Sequence, residues 1–153
     1  MVKKILISVM LVFLAMQFVR PSRNESDGLS DADISLRYAI PGDVHQLFVD
    51  KCYDCHSNNT VYPWYYSVQP VAWWMAGHVD EGKEHLNFSE FKNYPEKRAT
   101  HKLEEIMEMI AEDEMPLPSY LIAHPEAKVS PQEKESINSW IKSLGVVKAS
   151  HEP

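Results

Sequence analysis

The chain has 153 residues, of which 44% are hydrophobic, and its formal net charge is −7. This length favours a single domain, and this composition excludes a disordered chain. The acidic balance argues against a nucleic-acid partner, because binding to a phosphate backbone needs clustered basic residues.

The amino-terminal segment, residues 1–22, is predicted to be a signal anchor or a signal peptide. Lys3 and Lys4 precede an apolar run over residues 5–19, and no clear small-x-small cleavage site follows this run. The run is short for a membrane span of about 20 residues, but it lacks the polar face of a core helix. We therefore expect an exported domain on the periplasmic side of the bacterial cytoplasmic membrane. A hydrophobic helix that stays attached is favoured over a cleaved peptide.

The rest of the chain divides into a tether, a domain and a tail. Residues 23–37 are polar and predict the tether, the domain is expected over residues 38–146, and residues 147–153 form the tail. The first helix of the domain is expected to begin with Asp43 as its N-cap and to lead to Cys52.

The later segments of the domain also predict helices. A short helix is expected over residues 71–81, and an apolar stripe at helical spacing predicts a second one within residues 97–116. Residues 115–129 are expected to be an extended loop, since several prolines interrupt them. Ser130 and Glu133 predict a capping box at the start of a final helix. No segment alternates as a strand would, so the fold class is mostly α.

Both cysteines of the chain lie in the sequence C-x-x-C-H, as Cys52 and Cys55, with His56 directly after them. This spacing suits covalent haem attachment, because two thiols one helical turn apart reach the two vinyl groups of one porphyrin edge. A zinc site would need further ligands, a thioredoxin-like pair would need a βαβ setting, and a disulfide across so short a loop would stabilise little. We expect one haem c per chain, with thioether bonds to both cysteines and with His56 as the proximal iron ligand.

The second axial position of the iron has two candidates. Met115 precedes a proline, which biases its backbone to an extended conformation and holds it out from the helix end. A methionine that only fills the core is the plain alternative. His78 is the rival ligand, although a polar position on a short helix explains it equally well.

The order of these elements resembles a class I cytochrome c domain. Phe48, four residues before the first cysteine, and Trp140, on the last helix, are similar to the pair that joins the first and last helices of that fold. A closer resemblance covers residues 38–145. Two stretches there resemble the bacterial haem-binding domain family, "CYDCHSNNTVYPWYYSVQPVAWWMAGHVDEGKEHLNFSEF" and "MPLPSYLIAHPEAKVSPQEKESINSWI". The resemblance implies a small helical fold around a covalent haem, in which the carbonyl of Pro63 or Pro70 orients the proximal histidine.

Two functions fit this interpretation. The favoured one is a membrane-tethered, periplasmic monohaem cytochrome that carries single electrons between redox proteins and meets them transiently, without acting as an enzyme. The alternative is a haem-based sensor or a small peroxidase-like protein with an open distal site. The two differ in whether Met115 binds the iron.

Overall fold

The computed structural model describes residues 1–147, so most of the predicted tail lies outside the described residues. Within this part of the chain there are seven α-helices and no strand, which confirms the mostly α class. Four short 3₁₀ helices connect them, at Ile34–Leu36, Trp64–Ser67, Phe88–Asn93 and Pro125–Ala127. The α-helices are α1 (Val2–Met16), α2 (Gly42–Lys51), α3 (Tyr53–His56), α4 (Val71–His85), α5 (Glu96–Ala111), α6 (Pro118–Leu121) and α7 (Pro131–Ser143).

Helix α1 is apolar, and none of its residues is buried. It ends at Met16, before the end of the apolar run over residues 5–19. Among the helices of residues 1–147, none is both long enough and apolar enough to cross a membrane.

The stretch predicted as a tether lies against the domain over part of its length. Asp33 is fully buried, and its Oδ1 accepts from the backbone N–H of Ser35 at 2.8 Å, which caps the first 3₁₀ helix. This cap directs Ile34 into the core. Upstream, the Asn24 side chain donates to the carbonyl of Ser57 at 2.8 Å. Capping and burial therefore fix part of this stretch against the domain, although its polar composition had predicted a free tether.

The core lies between α2, α5 and α7. The ring of Phe48 stacks on Phe88, with centroids 5.1 Å apart, and meets Trp140 edge-on at 5.6 Å. The predicted contact between the first and last helices of the domain is thus present. Such aromatic pairs add about 0.5–1.5 kcal/mol each beyond the burial of their area. The buried cluster consists of Ile34, Val44, Phe48, Phe88, Phe91, Ala99, Leu103, Ile106, Ile110, Val129, Ile137, Trp140 and Ile141.

The helix termini follow the predicted caps at α7 and depart from them at α2. The capping box is confirmed, since Ser130 accepts from the N–H of Glu133 and the Glu133 carboxylate accepts from the N–H of Ser130. The N-cap of α2 is Pro41, so the prediction of Asp43 is wrong. Asp43 lies in the first turn instead, where its carboxylate still favours the helix dipole.

The structure corrects the predicted length of one helix and the predicted type of one segment. Helix α4 runs past the predicted range of 71–81 to end at His85. The extended loop predicted over residues 115–129 is wrong, because this segment contains α6 and a 3₁₀ helix. Pro118 and Pro125 are at the starts of these two short helices. A proline there removes only an N–H group that has no partner within the helix.

Candidate cofactor site

A cavity of about 580 Å³ lies between α3, α4, α5 and the segment around α6. This volume falls in the range of about 300–1,000 Å³ that is typical of ligand and cofactor sites. The structure brings together every site residue that the sequence singled out, because the lining includes Cys52, Cys55, His56, His78 and Met115.

The two thiols and the imidazole are placed by one helical turn. Cys52 ends α2, and its carbonyl accepts from the N–H groups of Cys55 at 3.2 Å and of His56 at 3.0 Å. Burial raises the pKa of the Cys52 thiol to about 12 and that of the Cys55 thiol to about 11. Burial thus favours the neutral S–H form of both side chains at neutral pH.

Two backbone carbonyls, one within α4 and one just after its end, orient the ring of His56. Its Nδ1–H donates to the carbonyl of Gly82 at 2.9 Å and to that of Leu86 at 3.0 Å. Burial lowers the pKa of His56, and these two bonds oppose the effect. The carbonyls of Pro63 and Pro70, which the sequence suggested, do not take this role. An imidazole held at Nδ1 presents Nε2 to a metal, which is the usual arrangement of a histidine ligand.

Gly82 allows α4 to approach the C-x-x-C-H turn. A Cβ atom at this position would lie 2.7 Å from the carbonyl oxygen of Cys55 and 3.2 Å from its Cβ. Sequence reasoning missed this residue. The available signal was a glycine inside a helix, which costs about 1 kcal/mol relative to alanine and so points to a need for space.

Both candidates for the second axial position line the cavity. Met115 follows the end of α5, and its N–H donates to the carbonyl of Met109 at 3.2 Å. His78 projects from α4, where its Nδ1–H donates to the carbonyl of Trp74 at 2.9 Å and its ring packs on that tryptophan. The geometry therefore keeps both residues as candidates.

A tyrosine and an aspartate connect α6 to the C-x-x-C-H turn. The hydroxyl of Tyr120 donates to Oδ2 of Asp54 at 2.7 Å, and Oδ1 of Asp54 accepts from the N–H of Val61 at 3.0 Å. Burial, together with the hydrogen bond to this carboxylate, raises the pKa of Tyr120. Asp54 lies between the two cysteines, but its partner Tyr120 is far away in the sequence, so no local pattern indicated the pair.

These features define a class of protein: a small helical domain whose cofactor cavity is lined by two thiols and a preoriented imidazole. The chain belongs to the haem-binding domain family, whose sequence model matches residues 11–143. No curated protein and no solved structure matches the chain. Haem is therefore the cofactor, and the cavity suits it in volume, in apolar lining and in the imidazole that it offers to iron.

Proposed function

We propose that the protein is a monohaem c-type cytochrome that carries single electrons. It is held on the periplasmic side of the cytoplasmic membrane by residues 5–19 and exchanges electrons with redox proteins in transient encounters. The observation that supports this most directly is the single cavity shared by Cys52, Cys55 and His56. When bound, haem supplies an iron that alternates between its ferric and ferrous states.

The two cysteines would hold the haem through thioether bonds. In each of them the S–H group of Cys52 or Cys55 adds across one vinyl double bond, so that no oxidant is needed. The raised thiol pKa values agree with this role, because burial keeps the S–H group that this addition uses.

The axial ligands would be His56 and Met115, with His78 as the alternative to the methionine. The carbonyls of Gly82 and Leu86 fix the His56 ring before haem arrives. A thioether sulfur in the second axial position raises the reduction potential. Two fixed ligands also keep the same coordination in both oxidation states, which suits electron transfer better than catalysis.

The rim of the cavity on α5 offers nitrogen donors for the two carboxylates of haem. Lys102 and His101 line the cavity and share the carboxylate of Glu105, with His101 Nε2 at 3.1 Å from Glu105 Oε1. Lys51 also lines the cavity, but its ammonium has three partners, the carbonyls of Glu126 and Lys128 and the carboxylate of Glu133, whereas Lys102 bonds to the single carboxylate of Glu105. Lys102 and His101 are therefore the side chains expected to hold the haem carboxylates.

The visible spectrum of the ferric and ferrous protein, matured with the haem-attachment machinery, tests the axial ligands. Wild type is compared with Met115→Ala, with His78→Ala, and with Met109→Ala as a matched control that also lines the cavity. We expect a low-spin wild type whose sulfur-to-iron charge-transfer band disappears only in Met115→Ala. Extraction with acidified acetone checks the thioether bonds, because haem that is covalently attached stays with the polypeptide.

Other spectra would contradict this assignment. A low-spin spectrum without the sulfur band, lost in His78→Ala, would make His78 the ligand. A high-spin ferric protein that no substitution changes, and that binds carbon monoxide rapidly once reduced, would favour the haem-based sensor or peroxidase-like alternative.

One observation favours that alternative. A second cavity of about 80 Å³ adjoins the first, and both are lined by Cys55, His78 and Tyr120. Space of this size beside His78 would admit a small molecule if the distal position of the iron were open.

A further inference from the structure

The end of α1 is built into the domain by hydrogen bonds at Gln69, which is fully buried. Its backbone N–H donates to Oε1 of Gln17 at 2.9 Å, and its carbonyl accepts from Nε2 of the same residue at 3.3 Å. The Nε2 of Gln69 donates to the carbonyl of Val19 at 2.7 Å. Cleavage after this segment would leave buried polar groups of the domain without these partners, which native structures avoid.

A further bond holds the chain just after the helix. Nη1 of Arg20 donates to the carbonyl of Ser67 at 2.6 Å, in the 3₁₀ helix that precedes α4. The guanidinium of Arg23 lies over the ring of Tyr62, 5.2 Å from its centroid. Helix α1 is therefore fixed in orientation relative to the segment 61–74, instead of following a free linker.

From residue 5 onwards the surface of α1 is apolar on every side, apart from the hydroxyl of Ser8. None of its residues is buried, and its large hydrophobic side chains are exposed all around the helix. A groove on a protein would cover one face of such a helix. An apolar environment on all sides, which a lipid bilayer provides, fits it better.

The segment that holds α1 exposes its own large apolar side chains. Trp64 is 80% exposed and Trp74 is 50% exposed. Tryptophan is enriched at membrane–water interfaces, because it combines a large apolar ring with one N–H donor. We call this exposed set the tryptophan collar; it consists of Val61, Trp64, Val68, Trp73 and Trp74.

We propose that the tryptophan collar rests in the headgroup region of the bilayer that takes up α1, and that residues 1–20 stay attached to the mature domain. The proposal rests on the membrane tether of the proposed function and adds a fixed contact between domain and lipid. The charge distribution agrees with it, since residues 1–23 hold four of the fifteen basic residues and none of the acidic ones. Lipid phosphates attract this segment and repel the acidic remainder of the domain.

The contact can be tested on the full-length haem protein in vesicles of phosphatidylcholine and phosphatidylglycerol. A small thiol-reactive fluorophore is attached in Val61→Cys or Val68→Cys, and quenching by brominated acyl chains is compared with quenching by aqueous iodide. Leu11→Cys reports on insertion of α1, and Lys97→Cys and Glu135→Cys are controls on α5 and α7. We expect brominated lipid to quench positions 11, 61 and 68 several-fold more than positions 97 and 135, with the reverse order for iodide.

Two outcomes would overturn the proposal. Strong iodide quenching at positions 61 and 68, with bromine quenching only at position 11, would mean that the collar lies in water. Protection of positions 61 and 68 from both quenchers would mean that a protein covers them. The intact mass of the purified protein adds a second readout, because a chain that begins after residue 20 would contradict the retention of α1.

Gln17→Ala tests the cause of the contact, because it removes the side chain that bonds twice to Gln69. Positions 61 and 68 are then expected to lose bromine quenching several-fold, whereas position 11 keeps it. Wild type offers only Cys52 and Cys55 to the fluorophore. Labelling of wild type would therefore report a failure of covalent haem attachment, separately from the lipid result.

Discussion

The haem cavity combines a part built from adjacent residues with a part assembled from distant ones. Cys52, Cys55 and His56 come from one turn of chain, and α4 holds the imidazole through two carbonyls. Met115, His78 and the Tyr120 phenol come from three separate segments. In the first part each side chain has a single proposed role, whereas in the second part Met115 and His78 compete for the same axial position of the iron. The part proposed to attach haem is thus determined locally, whereas the part proposed to supply the second axial ligand depends on packing.

The close approach of α4 to the C-x-x-C-H turn should be the most sensitive feature. In Gly82→Ala the new Cβ would meet the carbonyl oxygen of Cys55 at 2.7 Å, whereas at Gly77 of the same helix no atom lies within 4 Å of such a Cβ. We expect Gly82→Ala to destabilise and Gly77→Ala to be neutral or stabilising, with free energies of unfolding that differ by about 2–4 kcal/mol. Urea unfolding followed by circular dichroism measures both. Equal midpoints would show that α4 can shift without penalty.

The second largest expected effect is at the hydrogen bond that attaches α6 to the C-x-x-C-H turn. Tyr120→Phe removes the hydrogen bond to Asp54, and the expected loss is about 1.5 kcal/mol, at the low end for a bond to a charged group because Tyr120 is half-buried. Since the folded-state pKa of Tyr120 is raised by burial and by Asp54, its stabilisation is complete below the unfolded pKa of about 10 and falls as the pH rises further.

Denaturant unfolding between neutral pH and pH values above about 10, the unfolded tyrosine pKa, checks this prediction. Wild type should lose stability at alkaline pH more steeply than Tyr120→Phe. Tyr94→Phe is the control, because the Tyr94 hydroxyl accepts a hydrogen bond, from the N–H of Asn87 at 2.9 Å, instead of donating one to a carboxylate. Parallel curves for wild type and Tyr120→Phe would show that the phenol ionises without effect on the fold.

The smallest expected effect is at the ion pair that joins the end of α2 to α7. Lys51, which precedes Cys52, lies 3.1 Å from Glu133 on α7. Burial raises the pKa of Glu133, but the N–H of Ser130 and the Lys51 ammonium outweigh this and lower it. The stabilisation is present above the unfolded pKa of about 4.3 and is lost as the pH falls through the lower folded value.

Glu133→Gln should therefore reduce the loss of stability on the acid side. The difference in unfolding free energy between neutral and acid pH is expected to change by about 0.5 kcal/mol, within the range measured for ion pairs at protein surfaces. Urea midpoints measured across the acid range test this, with Glu104→Gln on the exposed face of α5 as control. An unchanged acid dependence in Glu133→Gln would show that this pair contributes nothing to stability.

Much of the fold follows from local rules, and the corrections occur where local rules compete. The final helix was predictable because Ser130 and Glu133 satisfy each other within one turn. The segment after Met115 was not, because proline breaks a helix interior but is tolerated at a helix start. Only the packing around α6 decides which of these holds.

The sequence alone predicted Cys52, Cys55 and His56 as the residues that we propose to hold haem, because their chemistry depends on a spacing of neighbours along the chain. Tertiary structure decided the rest of the site. The carbonyls that orient His56 come from Gly82 and Leu86, where the sequence had suggested Pro63 or Pro70. Such contacts join residues that are distant along the chain and become neighbours only when helices pack. The periodicity of a single segment therefore cannot predict them.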